Sequence, residues 1–99
     1  MIADIKKAIE TSSHPVLIEF FATWCTHCVA QGPAIEELRK HCPEASIFQV
    51  DGDKNEAMTE EYKVRSYPTF ILFKDGQQVW RDSGRKSYSE LKDMMDRFN

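Results

Sequence analysis

The 99-residue chain carries a net charge of −3 at pH 7, with 41% hydrophobic and 29% charged residues. That balance suits one small folded domain over residues 1–99 and excludes a disordered or membrane-embedded chain. Acids and bases are interspersed, which leaves no electrostatic footprint for nucleic acid or anionic lipid; no apolar run nears the roughly 18 residues of a membrane span, and MIADIKKAIE lacks a signal-peptide core, so the cytoplasm is the expected location.

In chain order, Ile2, Ile5 and Ile9 share one face of a short helix ending near Thr11-Ser12-Ser13. Val16–Phe21 is apolar except for Glu19, as expected of a central strand covered on both faces. WCTHC follows, and from Cys25 to about His41 the residues Cys28, Ile35, Leu38 and Cys42 mark one helical face. Pro33 falls inside that helix, where it removes an N–H and crowds the carbonyl of Val29, predicting a kink rather than two helices. Ser46–Asp51 reads as a second strand. Asp53 is placed to cap a short helix through Tyr62, with Glu56 completing a capping box and Met58 facing inward. Thr69–Lys74 and Gln77–Asp82 flank Asp75-Gly76, whose tolerance of positive φ suits a two-residue hairpin turn. The last helix starts at Ser87 with Glu90 as capping partner and buries Leu91, Met94, Met95 and Phe98.

This order predicts an α/β fold: a mixed sheet with a parallel strand pair beside an antiparallel pair, and helices on both faces. FFATWCTHC, the mid-helix Pro33, VRSYPTF, FKDGQQV and Gly84 together make the chain resemble the thioredoxin family from Val16 to its end. Thioredoxins usually begin with an additional strand; nothing before Ile2 supplies one, so four strands are expected, Val16–Phe21 central, with Ser46–Asp51 as an edge.

Two cysteines three residues apart at a helix start share a face, bringing their Cα atoms to about the 5.5 Å that a disulfide prefers. If Cys25 begins the helix, its sulfur lies over unpaired N–H groups and the positive end of the macrodipole, which favour the thiolate. Cys25 is therefore the expected nucleophile, and Cys28, one turn deeper, the resolving thiol. The metal alternative fits poorly. His41-Cys42 does not supply a second ligand pair with zinc spacing, and in a continuous helix Cys42 would lie about 21 Å from Cys28. Haem attachment would need His where Val29 stands. Cys42 itself reads as a structural thiol, with a regulatory or dimerising role as the alternative.

Thr26-His27 replaces the Gly-Pro typical of thioredoxins, and His27 makes the motif similar to the CxHC of disulfide isomerases and oxidants. A histidine there, with an ordinary pKa of about 6.5, would stabilise the Cys25 thiolate and raise the reduction potential. A contribution of roughly 1.4 kcal/mol corresponds to about 30 mV. Alternatively, His27 is exposed and electrostatically silent. Glu19 lies where the family carries a buried Asp beneath the resolving cysteine, so the resemblance implies a proton acceptor for Cys28. Desolvation should raise its pKa. Gln49 stands where many relatives place a lysine, which removes a cation from the acid's surroundings.

Pro68 after Tyr67 resembles the family's cis-proline, leaving the Tyr67 backbone to pair with an extended substrate segment. Trp24 is expected to shield the cysteines and contact substrate, Pro33 to aim the first helical turns, and Gly84 to permit close chain approach beside the site. The family implies reduction of protein disulfides without a bound cofactor or metal, in a monomer re-reduced by an NADPH-dependent thioredoxin reductase. Oxidation or isomerisation through the same pair, and a non-catalytic binding module, are the alternatives.

Overall fold

The computed structural model describes residues 2–99. Helix α1 (Ile2–Thr11) leads into strand β1 (Val16–Phe21), followed by α2 (Thr26–His41), β2 (Ser46–Asp51), α3 (Glu56–Glu61), β3 (Thr69–Lys74), β4 (Gln77–Ser83) and α4 (Tyr88–Arg97). The four strands lie in the order β2-β1-β3-β4. β1 pairs parallel with β2 and antiparallel with β3, and β3 pairs antiparallel with β4. This is the mixed four-stranded sheet expected from the sequence, with β1 inside and β2 at an edge.

The alternation of side chains along β1 divides the core in two. Val16, Ile18 and Phe20 join Ile5 of α1, Met58 of α3, and Ile71 and Phe73 of β3. On the opposite face Leu17 packs with Ile35 and Leu38 of α2, Ile47, Phe70, Leu72, and Leu91, Met94 and Met95 of α4. Each fully buried Leu, Ile or Phe in these clusters contributes roughly 1.5–3 kcal/mol. Glu19 has the parity of Leu17, which places it on the α2/α4 face.

Local chemistry accounts for most boundaries. The β3–β4 hairpin turns through Asp75 (φ 53°) and Gly76 (φ 78°). Ser87 caps α4 by accepting from the Glu90 N–H while Glu90 accepts from the Ser87 N–H, the capping box read from the sequence. Pro33 sits within a single helix. The box expected at the start of α3 is absent. The cap residue is Asn55, with no side-chain capping bond, and the backbone N–H groups of Asp53 and Lys54 point to Asp51 Oδ1 instead. Asp53 is engaged elsewhere, and β4 runs one residue beyond its predicted end, to Ser83.

Candidate active site

At the carboxyl end of β1 the chain turns through Ala22 into α2, and Ala22, Cys25 and Cys28 form a small cluster with Phe21 and Tyr67 packed against it. Cys25 is the cap of α2 rather than its first residue: its backbone is extended, and its Sγ accepts the Cys28 N–H at 3.3 Å. The same sulfur can donate to the Tyr67 carbonyl at 3.6 Å. Both cysteines are free thiols. Their exposures, 7% for Cys25 and 9% for Cys28, do not separate an open from a shielded sulfur as expected. The asymmetry lies in their backbone positions, Cys25 at the cap and Cys28 inside the first turn. Burial, with the neighbouring Cys25 sulfur, pushes the Cys28 thiol up to about 12.

Behind the pair, Glu19 is 1% exposed. Burial holds its carboxyl up at about 6, against a hydrogen bond from Gln49 and the charge of Arg39, both of which pull it down. The acid lies close enough for its negative charge to raise the Cys28 thiol further. Gln49 Nε2 donates to Glu19 Oε1 at 3.1 Å. The missing lysine is thus replaced by an amide donor and a more distant cation.

On the solvent side, Trp24 is 69% exposed, yet its indole is held: Nε1 donates to Asp53 Oδ2 at 2.8 Å. Its ring meets that of Tyr67 edge to face, with centroids 6.0 Å apart. The Tyr67–Pro68 peptide is cis, and Tyr67 precedes β3, outside the strand ladder. The Pro68 carbonyl accepts from the Gly84 N–H at 2.9 Å. Gly84 therefore adjoins the proline, but for a reason other than close approach. A Cβ there would meet nothing within 4 Å; it is φ, at +93°, that favours glycine. Thr26 and His27 are both exposed on the first turn of α2, and Pro33 is exposed farther along it. Cys42 is the half-buried cap at the far end of α2, where burial raises its thiol.

Three features of the site were missed in the sequence reading. Gln31 is fully buried, donating to the Lys86 carbonyl at 2.7 Å and accepting the Lys86 N–H at 2.8 Å, so it ties α2 to the loop carrying Gly84. Its place on the Cys28–Ile35–Leu38 face was the available signal. Gly52 is buried against Tyr67, and a Cβ there would lie 2.1 Å from Tyr67 Oη. Arg39 reaches across to β2, donating to the Ile47 carbonyl at 2.8 Å and to Gln49 Oε1 at 3.2 Å.

Two thiols at a helix start, a buried acid behind them and a cis-proline loop beside them form an arrangement suited to dithiol–disulfide exchange. A family model described as Thioredoxin matches residues 3–97. The chain is 41% identical over 91 residues to "Thioredoxin Asp f 28" of Aspergillus fumigatus, covering 92% of this chain and 83% of that protein. It is 45% identical over 76 residues to a thioredoxin of Chlamydia trachomatis, covering 77% and 74%. Among solved structures, Fasciola hepatica thioredoxin superposes with a TM-score of 0.90 at 36% identity, over 99% of this chain and 94% of that one.

Proposed function

The chain belongs to the thioredoxin family, as a thiol–disulfide oxidoreductase that reduces disulfides, and we propose that Cys25 captures the substrate while Cys28 releases it. The observation that carries this assignment is the position of Cys25 as the cap of α2, its sulfur accepting a helix N–H. An anionic sulfur there gains from that donor and from the helix dipole. Cys28, inside the first turn, is instead raised by burial and by the neighbouring Cys25 sulfur, which outweigh a backbone hydrogen bond at Ala22 that pulls it down.

In the first step the Cys25 thiolate attacks one sulfur of the substrate disulfide. That S–S bond breaks, a mixed disulfide forms, and the displaced substrate sulfur leaves as a thiolate that takes a proton from water. In the second, Cys28 attacks Cys25 Sγ. Burial, the largest cause acting on the Cys28 thiol, holds it well above the ordinary thiol range, so the proton has to leave as the new bond forms. Glu19, at about 6, accepts it directly or through water. The second substrate sulfur departs and is protonated in turn. Two electrons have passed to the substrate, and Cys25 and Cys28 remain as a disulfide.

Trp24 and Tyr67 supply the apolar contact surface, the Tyr67 backbone pairs with an extended substrate segment, and Pro68 and Gly84 shape the groove. Thr26 and His27 tune the potential from the exposed first turn, and Pro33 aims it. The oxidised protein is returned to the dithiol by an NADPH-dependent thioredoxin reductase. The working form is a monomer in the cytoplasm, where a free dithiol persists. Equilibration against glutathione, together with turnover by thioredoxin reductase and NADPH, tests the direction. A low potential with efficient turnover is expected; a high potential without turnover would make the protein an oxidant or isomerase.

A further inference from the structure

Glu19 and Gln49 are register partners on β1 and β2, and the Gln49 amide bridges Glu19 to Arg39 of α2. A glutamine next to a buried carboxyl can be turned either way. With its NH₂ toward the acid it stabilises the carboxylate; with its carbonyl oxygen toward the acid it stabilises the protonated form. Arg39 removes the choice. A guanidinium has only donors, so Gln49 must present Oε1 to Arg39 and therefore its NH₂ to Glu19. Arg39 is itself fixed by the Ile47 carbonyl and lies 3.8 Å from Glu36 Oε1, so its fork is held against β2.

We propose that Arg39 is a positioning residue for the resolving step, orienting Gln49 so that Glu19 is kept as a carboxylate able to take the Cys28 proton. The inference rests on the reading of Glu19 as that acceptor. It gives α2 two tasks: its first turn carries the thiols, and its last third carries the cation that prepares their base. The charged and titratable surroundings of Glu19 are few. From α2 come Cys28, and Arg39 with its partner Glu36. Its neighbour on β3 is Phe70, and α4 presents Leu91, Met94 and Met95 to this face. Removing Arg39 takes away its charge and leaves Gln49 free to turn, so burial is less opposed and the Glu19 titration moves to higher pH.

The test is the carboxyl titration of Glu19, followed by NMR in the disulfide form of the full chain, where Cys28 does not titrate. Arg39→Met should raise the midpoint by about half a pH unit and Gln49→Met by about one unit, with Arg39→Lys restoring most of the loss because it keeps a charge and a donor. The rate at which Cys28 expels 2-nitro-5-thiobenzoate from a mixed disulfide on Cys25 should show the same upward displacement of its pH profile. An Arg39→Met midpoint that stays in place, or moves down, overturns the proposal whatever Gln49→Met does. Glu19→Gln separates the two levels. If it leaves the profile of the expulsion rate untouched, Glu19 is not the acceptor, which the midpoints alone would not reveal. If it abolishes that pH dependence while the Met variants shift nothing, only the role of Arg39 falls.

Discussion

The dithiol lies between two regions built on different principles. Behind it is a buried polar floor of Glu19 and Gln49, reached by Arg39; in front is an aromatic rim of Trp24 and Tyr67, anchored by Asp53 and seated on Gly52. The floor concerns charge. Its acid is desolvated, and the Gln49 hydrogen bond and the Arg39 charge oppose that effect. The rim concerns shape, with large rings held by one hydrogen bond and one close backbone approach. In the proposed mechanism proton handling and partner recognition fall to different side chains, so changes to the floor should alter pH dependence and changes to the rim should alter affinity for protein substrates.

The largest effects belong to the sulfurs between the two regions. Cys25→Ser should reduce turnover of a protein disulfide by roughly 10³-fold or more, and Cys28→Ser should do the same while still permitting a single capture. Mass spectrometry of Cys28→Ser after exposure to substrate should find the adduct on Cys25. An adduct on Cys42 instead would break the assignment.

Next comes the floor. Glu19→Gln should slow the resolving step by about 10²-fold at neutral pH, and it should also change stability. The folded protein holds the Glu19 proton up to about pH 6, whereas the unfolded chain loses it near 4.5. Over that window the folded state binds more protons, so the contribution of Glu19 to stability falls as pH rises. A shift of this size corresponds to about 2 kcal/mol. Denaturation of Glu19→Gln should show that slope removed, provided the amide keeps its bond to Gln49, with the advantage over the parent chain greatest above pH 6. An unchanged slope would mean that the acid is not desolvated as described.

Gly52→Ala attacks the rim from beneath. The added methyl collides with the Tyr67 ring, and overpacking of this kind costs about 1–3 kcal/mol. Thermal unfolding should show the loss, and replacing Tyr67 with Leu should recover much of it. A full cost in the Tyr67→Leu background would place the strain elsewhere.

How much of this was legible follows the range of the interactions. β1 and β3 are apolar runs between turn residues, and Ser87 with Glu90 is a signal contained in four residues, so these elements appeared with nearly correct limits. Asp53 shows where local signals fail. It reads as the cap of α3, but the cap is Asn55, without a side-chain bond, and Asp53 instead accepts from Trp24, 29 residues away in sequence. Gln31 shares the apolar face of α2, which signals burial but not a partner, while Arg39 looks like a solvent-facing helix residue and even has Glu36 at the right spacing for an ordinary surface pair. Their actual partners, Lys86 and the β2 strand, are supplied by the packing of α2 on the rest of the chain. Gly52 is a glycine because of a ring that approaches it from Tyr67. The cysteine pair and Glu19 were conspicuous because each breaks a local pattern. The residues that tune them break none.

The smallest predicted effect is the sharpest test of whether floor and rim are separate. Asp53→Ala removes the single hydrogen bond to the Trp24 indole while leaving Asp51 to hold the turn. Because this bond is at the surface, its loss should cost no more than about 1 kcal/mol in stability. Trp24 would be free to leave the edge of Tyr67. A protein substrate that uses both rings should then show KM raised about threefold with kcat nearly constant, the pattern of lost uniform binding, whereas a small disulfide that never reaches Trp24 should react as before. Asp53→Asn, which retains an acceptor oxygen, should recover most of the difference. If Asp53→Ala instead displaces the pH profile of the resolving step, the indole contact is coupled to Glu19 through the cysteines, and the two regions act as one.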